Sequence, residues 1–124
     1  MGHAVLVVDD DASVLNTVRR ILEMHDIAVD TVETGEACIQ KLREGFKGVV
    51  LVDIVMPGMD GWDTIQAAVD GGLTQHVIFI MLTGKEVPDA KMDYLKEYVL
   101  DYITKPFDAK KLVSVVKEYL EYLK

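Results

Sequence analysis

Short, uninterrupted apolar runs alternate with amphipathic stretches along this 124-residue chain, and that alternation constrains the fold more than any other feature. Ala4 to Val8, Val49 to Val52 and Val77 to Leu82 are continuous and rich in Val and Ile, the composition of strands buried on both faces. Ile27 to Val32 and Tyr102 to Thr104 mix apolar with polar residues, as half-exposed strands at sheet edges do. Between these runs lie helical stripes: Val14, Val18, Ile21 and Leu22; Ile39 and Leu42; Trp62, Ile65 and Val69; Met92, Leu95 and Val99. The clearest comes last, where Leu112, Val115, Val116, Tyr119, Leu120 and Leu123 form one apolar face of about three turns. Five strand–helix units predict an α/β fold, a doubly wound five-stranded parallel sheet with five helices and right-handed crossovers, in one domain over 1–124. A barrel would need about eight strands and ~250 residues.

Composition narrows the function classes. Asp and Glu number 21 against 13 Lys and Arg, a net charge of −8, while half the residues are apolar. The apolar half excludes a disordered acidic tail. The acidic surplus argues against direct binding of nucleic acid or anionic lipid, whose phosphates recruit Lys and Arg. Cys38 has no partner for an internal disulfide, and His3, His25 and His76 are too far apart in sequence for a zinc motif. No apolar run approaches the ~18 residues of a membrane span, and the first strand begins too early for a signal peptide. Met1-Gly2 is not followed by Ser or Thr at Leu6, as myristoylation would require. The expectation is a cytoplasmic protein away from the membrane.

In an open α/β sheet, ligands bind beyond the carboxyl ends of the strands. The polar residues gather there: Asp9-Asp10-Asp11 after strand one, Asp53 at the end of strand three, Thr83-Gly84 after strand four and Lys105-Pro106 after strand five. Carboxylates brought together repel one another, and a hard divalent cation relieves them. Oxygen ligands with water completing the shell suit Mg²⁺, which in turn suits a phosphate. Lys105 then supplies a point charge for a phosphoryl oxygen, Thr83 a hydroxyl, and Gly84 an unobstructed approach to the backbone. A carboxylate flanked by a metal ion and a lysine is suited to act as a nucleophile toward phosphorus.

Four segments in this order, Val7-Val8-Asp9-Asp10-Asp11, Val52 to Gly61, Thr83-Gly84 and Asp101 to Phe107, resemble the receiver domain of two-component response regulators, and the resemblance covers the whole chain. It implies the flavodoxin-like strand order 2-1-3-4-5, as in single-domain chemotaxis regulators. It also implies that Asp53 accepts a phosphoryl group from a sensor histidine kinase or phosphotransfer protein. Asp10 and Asp53 would ligate Mg²⁺ or Mn²⁺ directly, Asp9 mostly through water, and the Val55 carbonyl would complete the protein ligands. Lys105 would contact the incoming group, Thr83 would hydrogen-bond it after transfer, and Tyr102 would turn inward as Thr83 moves. The fourth predicted helix, fifth strand and fifth predicted helix would then present an altered face to a downstream protein, as a monomer or a phosphorylation-dependent dimer. The family also carries a cis peptide at the position of Lys105-Pro106. The resemblance further implies that Val55 and Lys85 flank the path of attacking water and tune dephosphorylation.

Other residues have simpler roles. Asp11 suits the N-cap of the first helix, and Asp60 with Asp63 suits a capping box at the third. Trp62, Cys38 and the six methionines suit packing. Tyr94 and Tyr98 are placed on the fourth predicted helix, either packed or facing a partner. Val99-Leu100 depart from the Gly-Ala that many receivers carry before this aspartate. A haloacid dehalogenase-type phosphatase would need a second aspartate where Val55 stands. A flavin mononucleotide carrier would find its phosphate repelled by Asp9 to Asp11. A pseudo-receiver that is never phosphorylated would have no need of the full set of acids, threonine and lysine. The chain is either a stand-alone receiver or part of a longer regulator.

Overall fold

The computed structural model describes residues 4–84 and 95–123. Strands β1 (Ala4–Val8), β2 (Val29–Val32), β3 (Gly48–Asp53), β4 (Val77–Thr83) and β5 (Val99–Thr104) form one sheet in the order β2-β1-β3-β4-β5. Every pairing is parallel, so all carboxyl ends reach the same edge. Helices α1 (Ala12–Glu23), α2 (Gly35–Arg43), α3 (Gly61–Asp70) and α4 (Ala109–Tyr122) are the four among the described residues.

Side chains alternate across each strand and so feed two cores. Leu6, Val8, Val50, Val52, Phe79 and Met81 pack with Cys38, Ile39 and Leu42 of α2 and with Trp62, Ile65 and Ala68 of α3. Val5, Val7, Val49, Leu51, Ile80, Leu82 and Ile103 pack with Leu15, Val18 and Leu22 of α1 and with Leu112, Val113 and Val116 of α4. All six residues of β3 are buried, which explains why its run is uninterrupted. Each fully buried aliphatic side chain contributes about 1.5–3 kcal/mol relative to exposure. This arrangement is the doubly wound sheet that the periodicity predicts.

Differences lie at the element ends. The strand expected over Ile27 to Val32 begins only at Val29, because the Ile27 amide donates to the Leu22 carbonyl and closes α1 instead of joining the sheet. Val99, read as the end of a helical stripe, opens β5, where it pairs with Phe79. Leu95 lies in a single 3₁₀ turn over 95–98 that also holds Tyr98. Met92, Tyr94 and most of the expected fourth helix lie outside the described residues. Met24, expected to pack, is 76% exposed at the C-cap of α1.

Cys38 is fully buried, and burial pushes its thiol up to about 12. A maleimide should therefore label the native chain only through unfolding; labelling at the rate of a free cysteine would contradict this burial. Among the described residues no helix is long and apolar enough to cross a membrane.

Candidate functional site

The carboxyl edge of the sheet assembles what the sequence disperses over 96 positions, from Asp9 to Lys105. Asp9 directly follows β1 and is fully buried, its own amide donating to the Val32 carbonyl. Its Oδ1 accepts the Asp11 amide at 2.9 Å, and its Oδ2 accepts the Lys105 ammonium at 2.8 Å. Asp53, the last residue of β3, is 6% exposed. Its Oδ1 accepts the Val55 amide at 3.2 Å, and its Oδ2 lies 3.3 Å from Lys105 Nζ. Lys105 thus bridges two buried carboxylates, with Asp9 the nearer.

Lys105 is aimed from just beyond β5, where its amide donates to the Thr83 carbonyl at 2.6 Å and the peptide to Pro106 is cis, as the resemblance implies. Thr83 and Gly84 are half-buried beside it, with Thr83 in register with Thr104. Asp10 is exposed, yet oxygens of Asp9, Asp10 and Asp53 all lie within 4.8 Å of one another. Tyr102 is 37% exposed and Val55 57% exposed. Lys85 lies outside the described residues.

Electrostatics follow from this crowding. Burial, reinforced by the negative charge of Asp9, raises the Asp53 carboxyl to about 6 despite the opposing pull of Lys105 and the Val55 amide. Burial works against the Lys105 ammonium, but its hydrogen bond to Asp9 and the charges of Asp53 and Asp9 outweigh that, so its pKa rises. Three carboxylates against one ammonium leave two uncompensated negative charges. An all-oxygen donor set with one exposed member fits a hard divalent cation that keeps several waters.

Local structure holds the surrounding loops. Asp11 caps α1 by accepting the Ser13 amide at 2.9 Å, and Asp60 and Asp63 form a reciprocal capping box at α3, as their spacing predicts. Gly61 is a positioning residue that sequence reading missed. Its amide donates to the Ile54 carbonyl at 2.9 Å, and a Cβ there would meet the Asp53 carbonyl oxygen at 2.5 Å and the Ile54 Cα at 2.9 Å. Only glycine lets α3 begin against the backbone that carries Asp53. The Asp60-Gly61 pair was the visible signal, but it reads equally as turn punctuation.

Known proteins resemble this chain in sequence and fold. The family model for the response regulator receiver domain matches residues 5–117. A solved receiver domain protein described as CheY-like, from Methanospirillum hungatei JF-1, is 48% identical, with a TM-score of 0.94 over 98% of this chain and 96% of its own. The heme response regulator HssR of Staphylococcus epidermidis is 36% identical over 93% of this chain and 50% of its own length. The transcriptional regulatory protein ResD of Bacillus subtilis is 34% identical over 94% of this chain and 47% of its own. The chain therefore spans about half the length of these curated relatives. Fold, acidic edge and sequence agree: the chain belongs to the response regulator receiver domains of two-component signalling.

Proposed function

We propose that Asp53 accepts a phosphoryl group from the phosphohistidine of a sensor histidine kinase or phosphotransfer protein. A carboxylate oxygen of Asp53 forms the new bond to phosphorus as the phosphorus–nitrogen bond breaks, and the departing imidazole keeps the electron pair and takes up a proton. Asp9, Asp10 and Asp53, with the Val55 carbonyl, would hold Mg²⁺ or Mn²⁺, which when bound neutralises charge on the transferred group. Lys105 supplies the second positive charge, moving from its carboxylate partners toward a phosphoryl oxygen. Thr83 donates its hydroxyl to the acylphosphate, with Gly84 leaving backbone access. Tyr102 responds to Thr83 by turning inward, which alters the face formed by β5 and its flanking helices for a downstream protein. The reading implies a cytoplasmic location and no direct contact with nucleic acid.

One observation carries this reading: a buried carboxylate, Asp53, sits 3.3 Å from an ammonium and within 4.8 Å of two further carboxylates. A turnover phosphatase would want a proton carrier two residues after the nucleophile, and that residue is the apolar, exposed Val55. Incubation with acetyl phosphate and Mg²⁺ should add about 80 Da to the intact mass of the wild type. Absence of that adduct, or its persistence in Asp53→Asn, overturns the proposal.

Val55 also sets the expected lifetime of the phosphorylated state. Its side chain cannot orient water toward the acylphosphate, whereas asparagine can donate and accept. Val55→Asn should lose the adduct about three- to ten-fold faster, the scale of one oriented hydrogen bond. Equal decay in the two proteins would remove Val55 from the timing of the signal.

A further inference from the structure

The start of β5 carries an irregularity that the acceptor chemistry does not use. Val99 pairs with Phe79 and Asp101 with the next residue, Ile80, so Leu100 is an extra residue without a partner in the ladder, a bulge. The hydroxyl of Tyr119, from the third turn of α4, lies 3.2 Å from the Leu100 carbonyl oxygen and 3.2 Å from Asp101 Oδ2. The opposite Asp101 oxygen accepts the Tyr102 amide at 2.8 Å. The single proton of that hydroxyl is shared between the bulged carbonyl and a carboxylate that itself holds the backbone of Tyr102. The Tyr119 ring is fixed by packing on the core and by an edge-on contact with Tyr122 at 5.3 Å.

We propose that Tyr119 is the positioning residue that couples α4 to β5, so that changes at Asp53 reach the last helix through this clasp; the coupling rests on the acceptor reading above. β5 has Lys105 just beyond one end, bound to Asp9 and Asp53, and the clasped bulge at the other. Ile103 packs against the same core as Leu112 and Val116, but apolar contacts tolerate sliding. A hydroxyl whose proton is shared between acceptors on adjacent residues is more demanding, because hydrogen bonds weaken steeply with misalignment.

Two measurements on Tyr119→Phe test this. In the resting protein, amide exchange across residues 99–104 should quicken about five-fold, as one hydrogen bond is lost from a local opening unit. With Mg²⁺ and beryllofluoride as a phosphoryl stand-in, wild-type amide shifts should appear around Asp53 and Lys105 and in residues 115–122. In Tyr119→Phe the site shifts should remain, while those of 115–122 fall about three-fold or more. Asp101→Ala, which removes one acceptor and keeps the ring, should move both readouts the same way and serves if Tyr119→Phe does not fold. Unchanged exchange, or last-helix shifts of wild-type size, overturns the clasp. Absence of shifts at Asp53 and Lys105 in the wild type overturns the acceptor reading, and the coupling with it, while the exchange measurement still judges the clasp.

Discussion

Lys105→Met should lower the stability of the metal-free protein by about 3 kcal/mol at neutral pH and slow phosphoryl acceptance from acetyl phosphate by about 10²–10³-fold. Methionine keeps most of the volume and the unbranched shape of the lysine stem, so the loss reports the charge. Without the ammonium, fully buried Asp9 and nearly buried Asp53 face each other with no opposite charge within reach among the described residues. Breaking a buried pair costs more than the pair contributes, because the remaining ion stays desolvated. The rate falls for a separate reason: among the described residues, Lys105 is the only cation in contact with Asp53, the proposed acceptor. Urea denaturation and a mass time course read the two effects, and a variant with wild-type stability at pH 7 would show the pair to be solvated.

The pH range of the stability effect follows from its sign. Pairing raises the Lys105 pKa above its ordinary 10.5, so the stabilisation is complete below that value and is lost as pH rises through the folded pKa. It is present throughout the neutral range. Excess Mg²⁺ should shrink the stability deficit of Lys105→Met, since the acids would gain another cation, without restoring the rate.

The sequence revealed the sheet because three central strands are buried on both faces and need unbroken Val and Ile, a pattern little else in a folded domain requires. Strand ends were harder. Leu95 and Val99 are four apart, a spacing that serves a helix, and only the pairing of Val99 with Phe79 decides for a strand. The gathering of Asp9, Asp53, Thr83 and Lys105 at one edge was legible because chain polarity sends the ends of parallel strands there. Their pairing was not: Lys105 reads as a ligand for a phosphoryl oxygen, yet its nearest partner is Asp9 at 2.8 Å. Gly61 and Tyr119 stayed hidden for a common reason. Each acts on backbone atoms, Gly61 on those of Asp53 and Ile54 and Tyr119 on the Leu100 carbonyl, and no periodicity in the sequence encodes such a contact.

Asp53→Asn should raise the stability of the metal-free protein at pH 7 by about 2–3 kcal/mol even as it removes the proposed acceptor. The Asp53 carboxyl is held at about 6, above its ordinary 3.8, chiefly by burial and then by Asp9. Between those two values the folded state binds more protons than the unfolded chain, so stability falls as pH rises across that window. Full ionisation above it leaves the wild type carrying a strained charge that asparagine never acquires. Unfolding free energies should therefore decline from pH 4 to pH 6 in the wild type and flatten in Asp53→Asn, with the two proteins converging near pH 4. Mg²⁺ should stabilise the wild type at pH 7 and the variant much less, because one ligand has lost its charge. Parallel pH profiles would mean that Asp53 ionises without penalty and that the acceptor is not held under electrostatic strain. The expected divergence identifies a carboxylate kept at a cost to the fold, as a nucleophile at a functional site is.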